Sequence, residues 1–196
     1  MKTTKLIFII ILAFCSLHTH AAEYVKRENG IILIGSDDAV FRPLLFNYKV
    51  NLELYTDGVN KQYIMKLSIP IKSLHSFRND SKVVFNLLDN TRVELSPLYH
   101  FYDELNSYAY IPITEKNIAK IVSGIKSIEI DIIRCYIDGI IKDELIVQEF
   151  KKSGWEREPG IGWKNYNFIK HLQDSYDEVN KEYDKLKKKN FEIKIK

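Results

Sequence analysis

Residues 108–133 read Tyr-Ala-Tyr-Ile-Pro-Ile-Thr-Glu-Lys-Asn-Ile-Ala-Lys-Ile-Val-Ser-Gly-Ile-Lys-Ser-Ile-Glu-Ile-Asp-Ile-Ile, and the period of their apolar positions changes partway along. Ile118, Ile121, Val122 and Ile125 are spaced as residues on one face of a helix are. Thr114 stands at the N-cap, where a hydroxyl accepts from an orphan amide one turn on, and Glu115 complements the positive end of the helix dipole. After Gly124, Ile128, Ile130 and Ile132 alternate with Glu129 and Asp131, the period of a half-buried strand. The stretch predicts strand, short helix over about 115–123, and strand.

On the N-terminal side the pattern is β throughout. Ile31–Ile34 is a short apolar run between Gly30 and Gly35 that reads as a first buried strand. Phe46, Tyr48, Val50, Leu52 and Leu54 alternate with Asn47, Lys49, Asn51 and Glu53. Asp57-Gly58 is a turn signal, and Tyr63, Met65, Leu67 and Ile69 alternate after it, so the two runs predict a hairpin that Pro70 ends. Val83–Leu88 and Thr91–Leu95 predict a second hairpin, in which Asp89-Asn90 suits the positive φ angles of a type I′ turn. Beyond Ile133, Asp138-Gly139 reads as a turn and Leu145, Ile146 and Val147 as the centre of another strand.

The pattern breaks after Phe150. Gly154, Pro159, Gly160 and Gly162 mark 151–162 as a linker loop. Ile169, Leu172, Tyr176, Val179, Tyr183 and Leu186 then recur at intervals of three and four, predicting a long amphipathic helix over about 163–189, followed by a basic tail to 196. Asp177 with Lys181 and Asp184 with Lys188 sit four apart in the order that supports a helix. The apolar stripe requires a partner, either the chain's own sheet or a second copy. The predicted fold class is therefore α+β and β-rich: a 23–150 domain built as an antiparallel sheet or sandwich, with a short helix and a long C-terminal helix.

Residues 1–22 carry Lys2 and Lys5, an apolar run from Leu6 to Leu17, and a small-residue end at Ala21 and Ala22. This is the pattern of a secretory signal peptide, with cleavage expected near Ala21 or Ala22 and a periplasmic or secreted mature protein. The run is shorter than the roughly 20 apolar residues a bilayer span needs. Lipid attachment at Cys15 is the weaker alternative, because Phe14 stands where a lipoprotein motif has a small residue. Removing Lys2 and Lys5 lowers the formal net charge from +3 to +1, which gives no global electrostatic drive toward nucleic acid. Cys135 becomes the only cysteine of the mature chain, suited to burial as a small hydrophobe or to pairing with another chain.

No motif points to a cofactor. His75, His100 and His171 lack companions at metal-ligand spacing, and there is no nucleophile elbow or phosphate loop. Asp37-Asp38, Asp103-Glu104 and Glu156-Arg157-Glu158 are the acidic neighbours from which a carboxylate-dependent hydrolase could be assembled, and such neighbours are also ordinary turn residues. The candidate binding residues are aromatic. Tyr99, Phe101 and Tyr102 follow Pro97, and Trp155 and Trp163 bracket the glycine-rich segment. These side chains either form a contact surface for a protein or glycan or staple the long helix to the sheet.

The run Ser81-Lys82-Val83-Val84-Phe85-Asn86-Leu87-Leu88-Asp89-Asn90-Thr91-Arg92-Val93-Glu94-Leu95, then Tyr110-Ile111-Pro112-Ile113-Thr114 and Ile118–Ile130, resembles secreted β-rich proteins of unknown function common in Bacteroidetes. The resemblance spans roughly residues 46–133 and implies an extracytoplasmic β-rich module with no assigned catalysis. Those proteins often carry an arginine in the strand after the helix, where this chain has Glu129. The functional expectation is a non-catalytic envelope or secreted binding module. A cell-envelope hydrolase and a structural oligomer held by the C-terminal helix are the competing classes.

Overall fold

A computed structural model of the chain describes residues 24–41, 43, 46–136, 138–150, 155–157 and 165–188. In chain order the strands are β1 (Tyr24–Glu28), β2 (Ile31–Gly35), β3 (Ala39–Phe41), β4 (Tyr48–Thr56), β5 (Lys61–Pro70), β6 (His75–Ser76), β7 (Val83–Leu87), β8 (Arg92–Leu95), β9 (Tyr99–Tyr102) and β10 (Asn106–Ile113). Helix α1 (Glu115–Ser123) leads into β11 (Ile125–Cys135) and β12 (Ile141–Glu149); β13 (Trp155–Arg157), β14 (Asn165–Asn167) and helix α2 (Phe168–Lys188) follow. All strand pairing is antiparallel. One sheet runs β1-β2-β4-β5-β10-β9 with β3 also on β4, a second runs β12-β11-β7-β8 with β6 on β11, and β13 pairs β14. The predicted β-rich α+β architecture is the observed one.

The stretch 108–133 folds as its periods dictate. The Thr114 hydroxyl accepts from the Asn117 amide at 3.2 Å, Gly124 caps α1, and Ile118, Ile121 and Val122 are buried. On β11, Ile128, Ile130 and Ile132 face the core. The first hairpin joins β4 to β5 through a loop held by Asp57, whose carboxylate accepts from the Val59 and Asn60 amides at 2.8 and 2.7 Å. Those hydrogen bonds, the one from the Asn60 amide foremost, bring the Asp57 pKa down to about 2. The Asn29-Gly30 pair between β1 and β2 has φ of 50° and 79°, as a type I′ turn requires.

Four expectations are corrected. The β7–β8 turn is not type I′. Only Asn90 of the Asp89-Asn90 pair has positive φ (63°); the Leu87 carbonyl accepts from the Asn90 amide, and the Leu87 amide donates to the Thr91 carbonyl. The result is a three-residue loop with its left-handed residue last, fixed by Asp89, whose side chain accepts from the amide and hydroxyl of Thr91 at 2.9 and 2.7 Å. The long helix starts at Phe168 rather than near 163, and the segment before it pairs as β14 with β13, so 151–162 is not wholly a linker loop. Two asparagines in Asn165–Asn167 are weak helix formers, and Phe168, the first helical residue, is fully buried. On the helix surface Lys170 pairs with Asp174 and Lys185 with Glu182, and among the described residues Asp177 does not pair with Lys181 nor Asp184 with Lys188. Exposed pairs of this kind contribute so little that competing rotamers decide which form. Cys135 is only half-buried, because it sits at the last position of β11.

The core lies between the inner face of the large sheet and two covers, the second sheet and α2. Tyr48, Val50, Leu52, Leu54, Tyr63, Met65, Leu67 and Ile69 line that inner face and are all fully buried. Phe168, Leu172, Val179 and Tyr183 bury the helix stripe against the chain's own sheet, with Ile169, Tyr176 and Leu186 packed at its margin. Phe41, Phe150 and Phe168 form the joint, the last two stacked at 5.2 Å, and the Tyr63 hydroxyl donates to Asn180 at 2.6 Å. Phe168→Ala removes the centre of this joint. We expect a loss of about 3–5 kcal/mol in urea unfolding, with helix and sheet signals still lost together. Separate transitions would show the helix to be an independent appendage.

Candidate functional site

Strand alternation gives the large sheet a second, outward face. In β10, Ser107, Ala109, Ile111 and Ile113 point to the core, which leaves Tyr108 and Tyr110 on the outside. Register sets Tyr110 opposite Tyr99 and Tyr108 opposite Phe101 on β9, with Lys66 of β5 opposite Tyr110 on the other side. The rings stack across the strands: Tyr99 with Tyr110 at 4.7 Å and 12° between planes, and Phe101 with Tyr108 at 4.8 Å and 21°. Phe101 also meets Tyr110 at 5.7 Å. These spacings match the distance between neighbouring strands, so the strand pairing itself brings the rings face to face. The Lys66 ammonium caps the inner end of the array, 4.8 Å from the Tyr108 ring centre and 5.6 Å from that of Tyr110.

The surroundings hold the array in place. Asp103 accepts from the Leu105 and Asn106 amides and from the Tyr108 hydroxyl, the last at 2.9 Å, which ties the β9–β10 turn to the rings. Those amides, that of Leu105 first, keep the Asp103 carboxyl below its ordinary range. Further along the same face, the Tyr55 hydroxyl donates to Glu53 at 2.8 Å, and Glu53 and Asn51 are buried although they alternate with core residues. Asn51 donates to the carbonyl of Ser36, in the β2–β3 connection that also bonds the Leu52 backbone. Burial raises the phenol pKa of Tyr55, Tyr99, Tyr108 and Tyr110, helped by the Glu53 charge at Tyr55, Tyr99 and Tyr110 and by the Asp103 hydrogen bond at Tyr108. At neutral pH the phenols are thus uncharged, and the face is a set of stacked rings fringed with hydroxyls and capped by the Lys66 ammonium.

Of the residues singled out in the sequence, Tyr99 and Phe101 belong to this array, and both are far from helix α2, which packs on the opposite face of the sheet. They do not staple the helix; Phe41, Phe150, Tyr63 and Tyr176 do that. Tyr102 alternates to the other side of β9 and is apart from the stack. Trp163 lies outside the described residues, and of Trp155 the backbone alone is described, in β13. Sequence reasoning missed Tyr108, Tyr110, Tyr55 and Lys66. The available signal was the Tyr-x-Tyr alternation of β10 opposite the Tyr-x-Phe of β9, out of phase with Ala109 and Ile111.

Of the acidic neighbours, Asp103 holds its own turn as above and Asp38 pairs with Lys49 of β4 at 2.9 Å; the side chains of Glu156, Arg157 and Glu158 lie outside the described ones. Among the described residues no three His, Cys, Asp or Glu side chains are grouped to hold a metal. A second titratable constellation lies at the core's edge. His75, buried on β6, takes the Tyr48 hydroxyl at Nδ1 (2.6 Å) and faces Glu144 with Nε2 at 3.4 Å, while Arg134 lies 3.7 Å from the same carboxylate. Tyr48 is fully buried and its hydroxyl also neighbours Ser73, so the chain Tyr48–His75–Glu144 has no open end at the phenol. No known protein-family model, curated protein or solved structure matches the chain.

Burial lowers the His75 pKa, opposed by Glu144 and reinforced by Arg134. In the unfolded chain the imidazole titrates near its ordinary value of about 6.5, so below that pH the unfolded state binds a proton that the folded state resists. Stability is full above about pH 6.5 and falls as pH drops, by up to about 1.4 kcal/mol per pH unit until the folded imidazole itself protonates. Urea midpoints of wild type and His75→Gln between pH 7.5 and 5 should diverge, with the variant showing the flatter profile. Parallel profiles would remove His75 as the cause.

Proposed function

We propose that this chain is a non-catalytic binding module of the cell envelope or extracellular space, which recognises a glycan or protein surface through the outward aromatic face of its large sheet. The stack Tyr99–Tyr110–Phe101–Tyr108 is the observation that carries this reading. Stacked cross-strand pairs add about 0.5–1.5 kcal/mol each to sheet stability. That accounts for why the rings pair, yet β-branched residues would hold an edge strand as well without leaving Tyr99 and Phe101 nearly half exposed. Rings already locked by their neighbours lose little freedom on binding, and their hydroxyl fringe offers hydrogen bonds beside an apolar surface. Such a surface suits the apolar face of a sugar ring or an apolar protein patch with a polar rim.

The extracytoplasmic placement rests on the leader-like residues 1–22, which lie outside the described residues, and on the resemblance to secreted β-rich proteins. No described helix is long and apolar enough to cross a membrane. Tyr110→Ala removes the centre of the stack without touching the core. Binding of the purified protein to glycan and protein fractions of the envelope should fall at least about 10-fold in the variant, the loss expected of a central aromatic anchor, with thermal unfolding shifted by only a few degrees. Unchanged binding would place the ligand elsewhere.

A further inference from the structure

Edge strands normally carry charge or a bulge that discourages pairing. At the ends of the two main sheets β1, β8 and β12 follow this rule, with Lys26 and Arg27, Arg92 and Glu94, and Lys142, Asp143 and Glu144. Strand β9 (Tyr-His-Phe-Tyr) contains no Asp, Glu, Lys or Arg, and among the described residues it pairs on one side only, with β10. The side chains around it are exposed: Leu98 70%, Tyr99 49%, Phe101 40%, Tyr102 74% and Leu105 73%. Because the rings stack across the strands with Lys66 at the inner end, the free faces of Tyr99 and Phe101 turn toward the open edge. We infer that this edge pairs with the β9 edge of a second copy, joining two large sheets into one and extending the ring array across the two-fold axis.

The strand is complementary to itself. Antiparallel pairing keeps inner-face residues opposite inner-face residues, and the register that overlaps the whole strand is centred on His100. It sets Tyr99 of each copy opposite Phe101 of the other, so each free ring face gains an aromatic partner, and it sets Leu98 opposite Tyr102. The acidic turn Asp103-Glu104 falls opposite Ser96-Pro97 of the other copy, and no like charges meet. At roughly 200 Å² for a large side chain, the five exposed residues offer up to about 600 Å² per copy, or about 1,200 Å² in the pair, the lower limit of a specific interface. A reversible dimer of modest affinity follows. The helix stripe cannot supply this contact, since its residues lie in the core. The inference does not depend on which ligand the outward face takes.

Sedimentation velocity of protein expressed from the full sequence tests it over roughly 1 to 200 µM, the range in which a modest dimer dissociates. Wild type should move from monomer to dimer. Phe101→Lys, placing charge on the edge, should weaken association at least about 30-fold. Leu145→Lys, on the edge strand of the other sheet, should leave it unchanged. In a Cys135→Ser background, His100→Cys should form an intermolecular disulfide under mild oxidation, and Val59→Cys, in the exposed β4–β5 loop, should not. A wild type that stays monomeric, a dimer that survives Phe101→Lys in a folded variant, or equal crosslinking of the two cysteines would each overturn the pairing.

Discussion

The inner face of the β4–β5 hairpin is the constraint from which the rest of the structure follows. Eight large side chains alternate along two long strands, all on one side, and each contributes about 1.5–3 kcal/mol only when fully covered. A single helix, about 10 Å wide, is too narrow to cover a sheet of this breadth. The chain covers it in two parts, with the second sheet on one portion and α2 on the other, joined at Phe41, Phe150 and Phe168. Helix α1 sits where the chain passes from one sheet to the other, contacting both α2 and β7. The capped helix at 115–123 is therefore the corner of the fold rather than a site.

Once one face of the large sheet is sealed, the opposite face is held rigidly in place. Strand β4 is covered on both sides at Asn51 and Glu53, and β10 is paired on both sides. Side chains projecting outward from such strands have few ways to relax, so the Tyr108 and Tyr110 rings stand at strand spacing against Tyr99 and Phe101. Asp103 adds a local lock by holding both the turn and a phenol. The binding reading rests on this preorganisation more than on the number of aromatic residues.

Polar groups elsewhere serve register. Arg78 bonds Asp80 of its own loop, Asp131 of β11 at 3.1 Å and Asp143 of β12, clamping the loop between β6 and β7 onto the outer side of the second sheet. Tyr48, His75 and Glu144 link the two sheets at the edge of the core. The exposed Arg78 pairs add little net stability, whereas breaking the contact between Tyr48 and His75 leaves a buried polar group unpaired. They make alternative alignments of the two sheets costly, and this places them with the scaffold rather than with the aromatic face.

Much of the fold was legible because its signals are local. A cap, a glycine and a change of period located α1 and β11, alternation located β4 and β5, the runs flanking Asp89-Asn90 located β7 and β8, and the apolar run Leu145-Ile146-Val147 located β12. The Asn29-Gly30 turn was equally local and points to β1, although the apolar run after it drew the reading instead. The site was legible only in part. Tyr99 and Phe101 stood out as aromatic, but their partners Tyr108, Tyr110 and Lys66 are brought to them by register between strands, which no single stretch encodes. Tyr102, adjacent in sequence, was separated from them by the alternation of the strand. The amino-acid sequence by itself determined which segments are strands and helices and which of their faces are apolar, because propensity, capping and periodicity act over a few residues. The tertiary structure alone decided that the helix stripe is covered by its own sheet, that His75 meets Tyr48 and Glu144, and that four rings form one array, because pairing and burial act between residues far apart in the chain.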